Sequence, residues 1–242
     1  MPAAVHIGTS GWHYPHWVGP FYPRDLAPEE FLGFYARHFR TVEINASFYR
    51  LPERTTVAGW RATVGPGFVF AVKASRYATH MKKLKEPAQS LARFFEVMAA
   101  LGPALGPVLF QLPPRFRVNL ARLDACLGAL PRGVRAAFEF RDRSWFTDAV
   151  YDSLAAHGAA LCVYDLAGWR APLAATADFV YLRLHGPHAA YQGRYGRARL
   201  RPWARRIAAW RAEGREVFCY FDNDQAGYAV TDALSLTALV SP

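Results

Sequence analysis

Two glutamates lie in short apolar segments, where a carboxylate is costly to bury. Glu43 belongs to the stretch TVEIN, and Glu139 belongs to the stretch AAFEFR. A buried carboxylate must be paired or must face a polar cavity, because its desolvation is otherwise unfavourable. Two carboxylates in unlike surroundings can take different pKa values and divide the roles of proton donor and proton acceptor. The two glutamates are therefore our candidate pair for acid–base or hydrolytic catalysis.

Polar and charged residues end several other apolar segments and extend the candidate site. Lys73 ends FAVK and is the third predicted catalytic residue, either as a Schiff-base lysine or, as we favour, as a clamp for phosphate or carboxylate. Arginine, histidine, amide and aromatic side chains at comparable places are typical of substrate binding. The predicted substrate-binding residues are Asn45, Gln111, Arg141, Asp165, Arg183, His185, Tyr191, Tyr195, Asn223 and Trp12.

A structural role competes with each catalytic assignment. Either glutamate can instead form an ion pair inside the protein with Lys73, Arg141 or Arg183, and such a pair catalyses nothing. The acidic residues and His185 could also bind a metal, but the chain has no local ligand spacing typical of a metal site. We predict no metal, and the sequence identifies no cofactor.

Strand-like segments precede these residues and alternate with helix-length segments. The predicted strands are VHIG, TVEIN, FVFAVK, PVLFQL, AAFEFR, ALCVYD, FVYLRLHG and EVFCYFDND. Repeated β–α units with apolar strands are typical of a parallel sheet, and eight of them in this length favour a closed barrel over an open doubly wound sheet. We therefore predict an α/β fold with one domain over residues 1–242, a single (β/α)8 TIM-type barrel in which some helices are irregular or shortened.

Side-chain alternation explains how a barrel would bring the candidate residues together. Apolar residues flank Glu139 and Arg183 on both sides, so the two charged side chains share the inward face of their strands. In barrels of this type the active site lies at the C-terminal ends of the strands. We expect Glu43, Lys73, Glu139, Arg183 and His185 to line one cavity there.

The charge composition favours an anionic ligand. The chain of 242 residues has 29 Lys and Arg against 19 Asp and Glu, a formal net charge of +10, and most of the cations are arginines. Arginine suits bidentate contact with phosphate or carboxylate. We predict a small phosphorylated or carboxylated substrate. The alternative is binding or metal-dependent processing of nucleic acid, with arginines on the phosphates and aromatic rings on the bases.

The remaining composition bears on location and redox state. No apolar run is long enough to span a bilayer, and the start MPAAVHIG lacks the features of a signal peptide, so we predict a cytoplasmic protein with no membrane partner. The three cysteines are far apart and lie in apolar surroundings. We predict reduced core residues rather than disulfides or metal ligands.

Several motifs occur together and in order: GTSGWHYPHW, TVEINASFYRLP, FAVKAS, the pair Thr79 and His80, LFQLPP, FEFRDRSW, YLRLHG and YFDND. In this combination the chain resembles the YecE-like family, catalogued as domain of unknown function seventy-two, from about Val5 to Leu239. The resemblance implies a (β/α)8 barrel and no established reaction. Ala46 stands where a hydroxyl residue is usual in the family, and Asp222 stands where asparagine is frequent. The aspartate adds negative charge to the predicted site.

Overall fold

Apolar residues alternate along the predicted strands, and the computed structural model, which describes residues 3–240, shows how they pair. Eight strands are parallel to their neighbours in the order β1-β9-β8-β6-β5-β4-β3-β2, and β7 pairs with β6 in the antiparallel direction. The eight predicted strands and the barrel architecture are thereby confirmed. The strands are β1 Val5–Thr9, β2 Thr41–Ile44, β3 Val69–Lys73, β4 Leu105–Gln111, β5 Ala136–Glu139, β6 Ala160–Leu166, β7 Trp169–Arg170, β8 Phe179–Leu184 and β9 Glu216–Phe221.

The barrel closes between β1 and β2. Ser10 forms a parallel bridge with Glu43, and the Gly11 amide donates a hydrogen bond to the Glu43 carbonyl oxygen at 2.8 Å. The two strands approach closely at Gly8, where a Cβ atom would lie only 2.3 Å from the Thr41 carbonyl oxygen. A side chain at this position would force the strands apart, so closure depends on glycine.

Helices cover most of the outer surface of the barrel. A five-residue π-helical turn, Tyr77–Met81, follows β3. The expected irregular and shortened helices are confirmed, because the helix Ala46–Tyr49 has four residues and β7 takes the place of a helix between β6 and β8. The helices are α1 Phe31–His38, α2 Ala46–Tyr49, α3 Arg54–Thr63, α4 Pro87–Met98, α5 Leu120–Gly128, α6 Asp148–Ala156, α7 Gly196–Ala212 and α8 Tyr228–Val240.

Apolar and aromatic side chains fill the lower part of the barrel interior. Phe179 and Phe218 pack against each other, and Tyr181 and Tyr220 lie above them with smaller apolar residues from the other strands. The alternate residues of each strand pack outward against the helices in a larger core. This arrangement leaves the C-terminal end of the interior for the polar residues.

The cysteines are buried and free, as predicted. Burial raises the pKa of the Cys126 thiol to about 12, so this group stays protonated at neutral pH. Within residues 3–240, none of the helices combines the length and the apolar character needed to cross a membrane.

Candidate active site at the barrel mouth

Each of the eight parallel strands places one side chain in a layer at the C-terminal end of the barrel, which we call the mouth. Tyr181 of β8 belongs to the interior cluster, so Arg183, two residues later, takes the same face. The same alternation holds for the other strands. The polar layer consists of Ser10, Glu43, Lys73, Gln111, Glu139, Tyr164, Arg183 and Asp222.

Arg183 lies at the centre of the polar layer and has no exposed side-chain surface. Its Nη2 donates to Glu43 Oε1 at 2.7 Å and to Asp222 Oδ2 at 3.1 Å. Its Nη1 donates to Glu139 Oε2 at 2.8 Å. Burial alone would lower the pKa of Arg183, but the three carboxylates outweigh burial and raise the pKa well above its ordinary value. The guanidinium therefore stays charged and holds the three carboxylates together.

Both carboxylate oxygens of Glu43 are occupied. Oε1 accepts hydrogen bonds from the Ser10 hydroxyl and from Arg183, and Oε2 accepts one from the Tyr181 hydroxyl at 2.7 Å. The side chain is completely buried. Glu43 thus points into the barrel as expected, but neither oxygen is free to contact a molecule in the mouth.

Glu139 is occupied in the same way. Oε1 contacts the guanidinium of Arg141, and Oε2 accepts from Arg183. Burial alone would raise the pKa of this carboxyl, but the two guanidinium groups and His185 outweigh burial and hold the pKa well below its ordinary value. A carboxylate that stays ionised in this way is a poor proton donor near neutral pH.

His185 connects Asp222 to the two glutamate-bound arginines. Its Nδ1 lies 3.0 Å from Asp222 Oδ2, and its Nε2 lies 3.2 Å from Arg141 Nη2 and 3.3 Å from Glu139 Oε1. In a neutral ring, His185 Nε2 accepts a hydrogen bond from the guanidinium of Arg141. In a protonated ring, Nε2–H donates to the carboxylate of Glu139. In both cases Nδ1–H donates to Asp222, which fixes the orientation of the ring.

Asp222, which directly follows β9 in the motif YFDND, was expected to add negative charge to the site but was not assigned a catalytic or substrate-binding role. Its side chain is 12 % exposed, so it is the one carboxylate of the polar layer that a molecule in the mouth can contact. Burial alone would raise its pKa, but Arg183 and His185 outweigh burial and lower it. Asp222 is therefore ionised at neutral pH.

Lys73 differs from every other charged side chain in the polar layer, because its amine has no hydrogen-bond or ion-pair partner among residues 3–240. The residue is 6 % exposed, and Nζ lies 4.3 Å from the centroid of the Phe48 ring. Burial, with a further contribution from Arg183, lowers the pKa of Lys73 to about 8, although the nearby carboxylates oppose this shift. A substantial fraction of the amine is therefore neutral near physiological pH.

His80 lies close to Lys73 and is a second residue that the strand pattern did not reveal. It belongs to the π-helical turn after β3 rather than to a strand end, and its ring meets the Phe48 ring edge-on at a centroid distance of 4.9 Å. Burial lowers the pKa of His80 to about 4, and Lys73 is the first of the cations that add to this effect. The ring is therefore neutral at neutral pH.

The tautomer of His80 follows from its neighbour Thr79. The Thr79 hydroxyl donates its hydrogen to the Ser75 carbonyl oxygen at 2.9 Å. The Thr79 hydroxyl oxygen also lies 3.0 Å from His80 Nδ1. Because its own hydrogen is already used, this hydroxyl oxygen must accept a hydrogen bond from Nδ1–H. Nε2 is left with a lone pair, so His80 offers a hydrogen-bond acceptor beside Lys73. The pair Thr79 and His80 in the sequence motifs was the available signal.

Three of the predicted substrate-binding residues, Gln111, Arg141 and Tyr191, lie at the mouth. Gln111 pairs in register with Glu139, and the Tyr191 ring stands perpendicular to the His185 ring at a centroid distance of 5.5 Å. The Arg141 side chain is 11 % exposed, and its Nη1 has no hydrogen-bond partner within residues 3–240. Arg141 therefore presents a free donor to the mouth.

Asp165 does not join the polar layer, although it lies near the end of β6. Ala160 and Cys162 belong to the interior cluster, so Tyr164 takes the inward position and Asp165 takes the outward one. The Asp165 carboxylate lies instead 3.6 Å from Arg170 Nε on β7. Asp165, predicted to bind substrate, therefore lies apart from the two glutamates.

Asn223 and Tyr195 also lie outside the polar layer, where they fix the loop after β8. Asn223 Nδ2 and the Tyr195 amide both donate to Oδ2 of the buried Asp232, at 2.9 Å and 2.8 Å. The Tyr195 hydroxyl accepts from the Gly186 amide at 3.1 Å. These contacts position the loop that carries Tyr191 rather than a substrate.

Asn45 and Trp12 line a separate cavity of about 590 Å³ beside the mouth, together with Tyr14, Tyr49 and Trp60. The chain turns helical at Asn45, with φ −96° and ψ −24°, so the alternation that directs Glu43 inward does not continue. Asn45 Oδ1 is buried without a hydrogen-bond partner in the described part of the chain.

Three carboxylates of the polar layer face three cations, Lys73, Arg141 and Arg183. The formal net charge of +10 is therefore not concentrated at the mouth, because Asp222 balances the third cation. Among the described residues, no group of three or more His, Cys, Asp or Glu side chains is arranged to hold a metal ion.

Comparison with known proteins relates this chain to curated bacterial proteins. The UPF0759 protein YunF of Bacillus subtilis (strain 168) is 27 % identical over 273 residues, which cover 98 % of this chain and 94 % of YunF. The UPF0759 protein YecE of Escherichia coli (strain K12) is 30 % identical over 143 residues, which cover 59 % of this chain and 50 % of YecE.

Solved structures agree with this relationship. A crystal structure of a DUF72 family protein from Thermotoga maritima MSB8 has a TM-score of 0.88 at 27 % identity, with 98 % of this chain and 99 % of that chain covered. Another, from Enterococcus faecalis V583, has a TM-score of 0.83 at 19 % identity, with 98 % and 95 % covered, and shows the shared fold. The family model described as "Protein of unknown function DUF72" matches residues 6–242. The chain therefore belongs to the DUF72 family.

Proposed function

We propose that the mouth is the active site of an enzyme that uses acid–base or hydrolytic chemistry on a small polar, anionic substrate. The observation that supports this proposal most is the state of Lys73. Every other charged side chain of the polar layer is paired, whereas this amine is desolvated and has no partner within residues 3–240. An unpaired buried amine lowers stability, so its presence is better explained by chemistry than by packing.

Lys73 and Asp222 are the best-placed groups for proton exchange with a substrate. The pKa of Lys73, lowered to about 8 by burial, lies near the pH at which a general base is effective. Asp222 supplies the partly exposed carboxylate. Glu43 and Glu139, our first candidates for this role, are completely buried and bound to Arg183. We assign to them the positioning of the guanidinium.

An anionic group of the substrate would bind to Arg141 Nη1, the free guanidinium donor at the mouth, and would leave the Lys73 amine available for proton exchange. Arg183 and His185 have no exposed side-chain surface, so they would support the site from behind rather than contact the ligand. Because the charges of the mouth are balanced, recognition of the anion would depend on this local donor and not on a long-range positive field.

Thermal unfolding with added phosphate, pyrophosphate and small dicarboxylates tests the anion site. A ligand that binds the folded state raises the melting temperature. We expect this rise in the wild type and in Arg132→Gln, a control at an exposed arginine between α5 and β5. We expect a much smaller rise in Arg141→Gln. Equal stabilisation of the two variants would contradict the anion site.

Turnover is tested with a pool of phosphorylated and carboxylated metabolites followed by NMR. The wild type should consume at least one anion of the pool, and Lys73→Met should consume none. Consumption at the wild-type rate by Lys73→Met, or no consumption by the wild type, would count against the enzymatic proposal.

Binding or processing of nucleic acid is a second candidate function, and helix α7 with the loop before it favours it. Six arginines of this region are exposed, and among the described residues only Arg194 lies within ion-pair distance of a carboxylate, at 3.9 Å from Asp232. Nucleic-acid binding through such a surface falls steeply with salt. A salt titration with a single-stranded oligonucleotide distinguishes the two proposals, because weak, salt-insensitive binding would rule out the second. The six residues are Arg194, Arg197, Arg199, Arg201, Arg205 and Arg206.

A further inference from the structure

We infer that Lys73 forms a covalent imine with a small aldehyde or ketone, so that the substrate of the proposed site is a carbonyl compound with an anionic group. This inference rests on the proposed function and names the substrate class of the same site.

The position of Lys73 is the first reason. Its side chain extends inward from the end of β3 into the mouth, and three carboxylates lie in the same layer. None of them pairs with it, because their oxygens contact Arg183, Arg141, Ser10, Tyr181 and His185 instead. A lysine that only balanced charge would pair with a carboxylate. Lys73 keeps its nitrogen free for a ligand.

The surroundings of the amine are the second reason. The Phe48 ring covers one side of Nζ at 4.3 Å, and the same ring contacts His80. Neither Phe48 nor the neutral His80 is a carboxylate that could form an ion pair with the amine. Only the free amine attacks a carbonyl group, and desolvation in a partly apolar pocket is a known way to produce it. The lowered pKa of Lys73, about 8, is consistent with this geometry.

The reaction balances without any further reagent. Nζ attacks the carbonyl carbon, the C–N bond forms, and the carbonyl electron pair moves to oxygen, which receives one proton from the nitrogen. The C–O bond of this carbinolamine then breaks, and the oxygen leaves with the second amine proton as water while the C=N bond forms. Asp222 is ionised and partly exposed, so it could assist as the acceptor of the proton that leaves the nitrogen. Arg141 Nη1 would bind the anionic group of the same molecule.

Reductive trapping tests the inference, and the chain offers internal controls. Its four lysines are Lys73, Lys82, Lys83 and Lys85. The wild-type protein is incubated with glyoxylate and cyanoborohydride at pH 7, and the modified lysines are identified by mass spectrometry after digestion. Because a pKa near 8 raises the free-amine fraction, we expect Lys73 to react faster than the other three by on the order of tenfold or more. Lys73→Arg should lose this fast modification.

Acetaldehyde, which carries no charge, shows whether the anionic group contributes. We expect glyoxylate to favour Lys73 over the other lysines more strongly than acetaldehyde does, and Arg141→Gln to remove this difference. Modification of Lys73 no faster than that of Lys82, Lys83 and Lys85 would overturn the inference. If phosphate still stabilised the wild type over Arg141→Gln, the proposed acid–base site would remain and only the imine would be excluded. If glyoxylate and acetaldehyde favoured Lys73 over the other lysines equally, the substrate would not need an anionic group, and that part of the inference would be overturned.

Discussion

Replacement of Lys73 by methionine should stabilise the protein. The two side chains have similar length, but methionine carries no charge that must be desolvated. Burial lowers the pKa of Lys73 from 10.5 to about 8 in the folded state. One pKa unit corresponds to about 1.4 kcal/mol, so keeping the ammonium in the folded protein at pH 7 costs roughly 3 kcal/mol. We expect the free energy of unfolding of Lys73→Met at pH 7 to exceed that of the wild type by about 2–3 kcal/mol.

The pH dependence of this difference identifies its cause. Below the folded-state pKa, the folded and unfolded states both bind the proton, so the cost is constant. Between pH 8 and 10.5 the unfolded chain still binds the proton and the folded protein does not, so the wild type gains stability relative to the variant. The advantage of Lys73→Met should therefore shrink across this window and vanish above it.

Urea unfolding followed by tryptophan fluorescence, at several pH values from 7 upward, measures the difference. Ionisation of buried tyrosines also affects stability in this range, but it affects both proteins and cancels in the comparison. Lys83→Met is the matched control, because Lys83 is exposed and should change stability by less than about 0.5 kcal/mol. A loss of stability in Lys73→Met at pH 7, or an advantage that does not change with pH, would refute the reasoning.

Three further predictions concern other parts of the barrel. Glu43→Gln should lower the free energy of unfolding by roughly 3–5 kcal/mol, because it removes a carboxylate from a buried guanidinium; unchanged stability in urea would show that Glu43 is not a necessary partner. Gly8→Ala should lower the free energy of unfolding by roughly 1–3 kcal/mol, because the added methyl group forces β1 away from β2. Gly59→Ala in α3, which has open space around it, is the control and should be neutral or stabilising. Equal effects of the two substitutions in thermal melts would contradict the account of closure. Asp222→Asn should lose less stability than the wild type as the pH falls below about 4. The ionised Asp222 stabilises the fold above that range, because its pKa is lowered in the folded state, and it loses this effect when it is protonated. Acid titrations of the two proteins, followed by unfolding, should therefore differ there.

The alternation of side chains along a strand predicted which residues point into the barrel wherever apolar neighbours showed which face of the strand is inward. Glu139 and Arg183 each lie between two large apolar residues, so only one face of the strand was available to them. At the end of β6 the phase was ambiguous, because both Tyr164 and Asp165 have polar ends. The small interior residue Cys162 determines that the tyrosine points inward, and this depends on packing across the barrel.

The partners of the charged residues could not be predicted from the sequence. That Arg183 binds three carboxylates depends on distances across the barrel, which follow from strand tilt and closure rather than from local sequence. The sequence left open whether Glu43 was catalytic or ion-paired, and the structure shows the ion pair. His80 escaped prediction because a π-helical turn has no simple hydrophobic period by which to recognise it.

The strand pairing of β1 has a consequence for folding during synthesis. β1 pairs along its whole length with β9, and only one bridge beyond its end connects it to β2. His6 and Glu216, whose side chains meet across the β1–β9 pair, are 210 positions apart in the chain. β1, the first strand of the barrel to be synthesised, therefore cannot pair with β9 until the last strand of the barrel has been made, and such long-range pairing is slow. Until then its backbone edge is open to other chains, so β1 of one nascent molecule can pair with β9 of another.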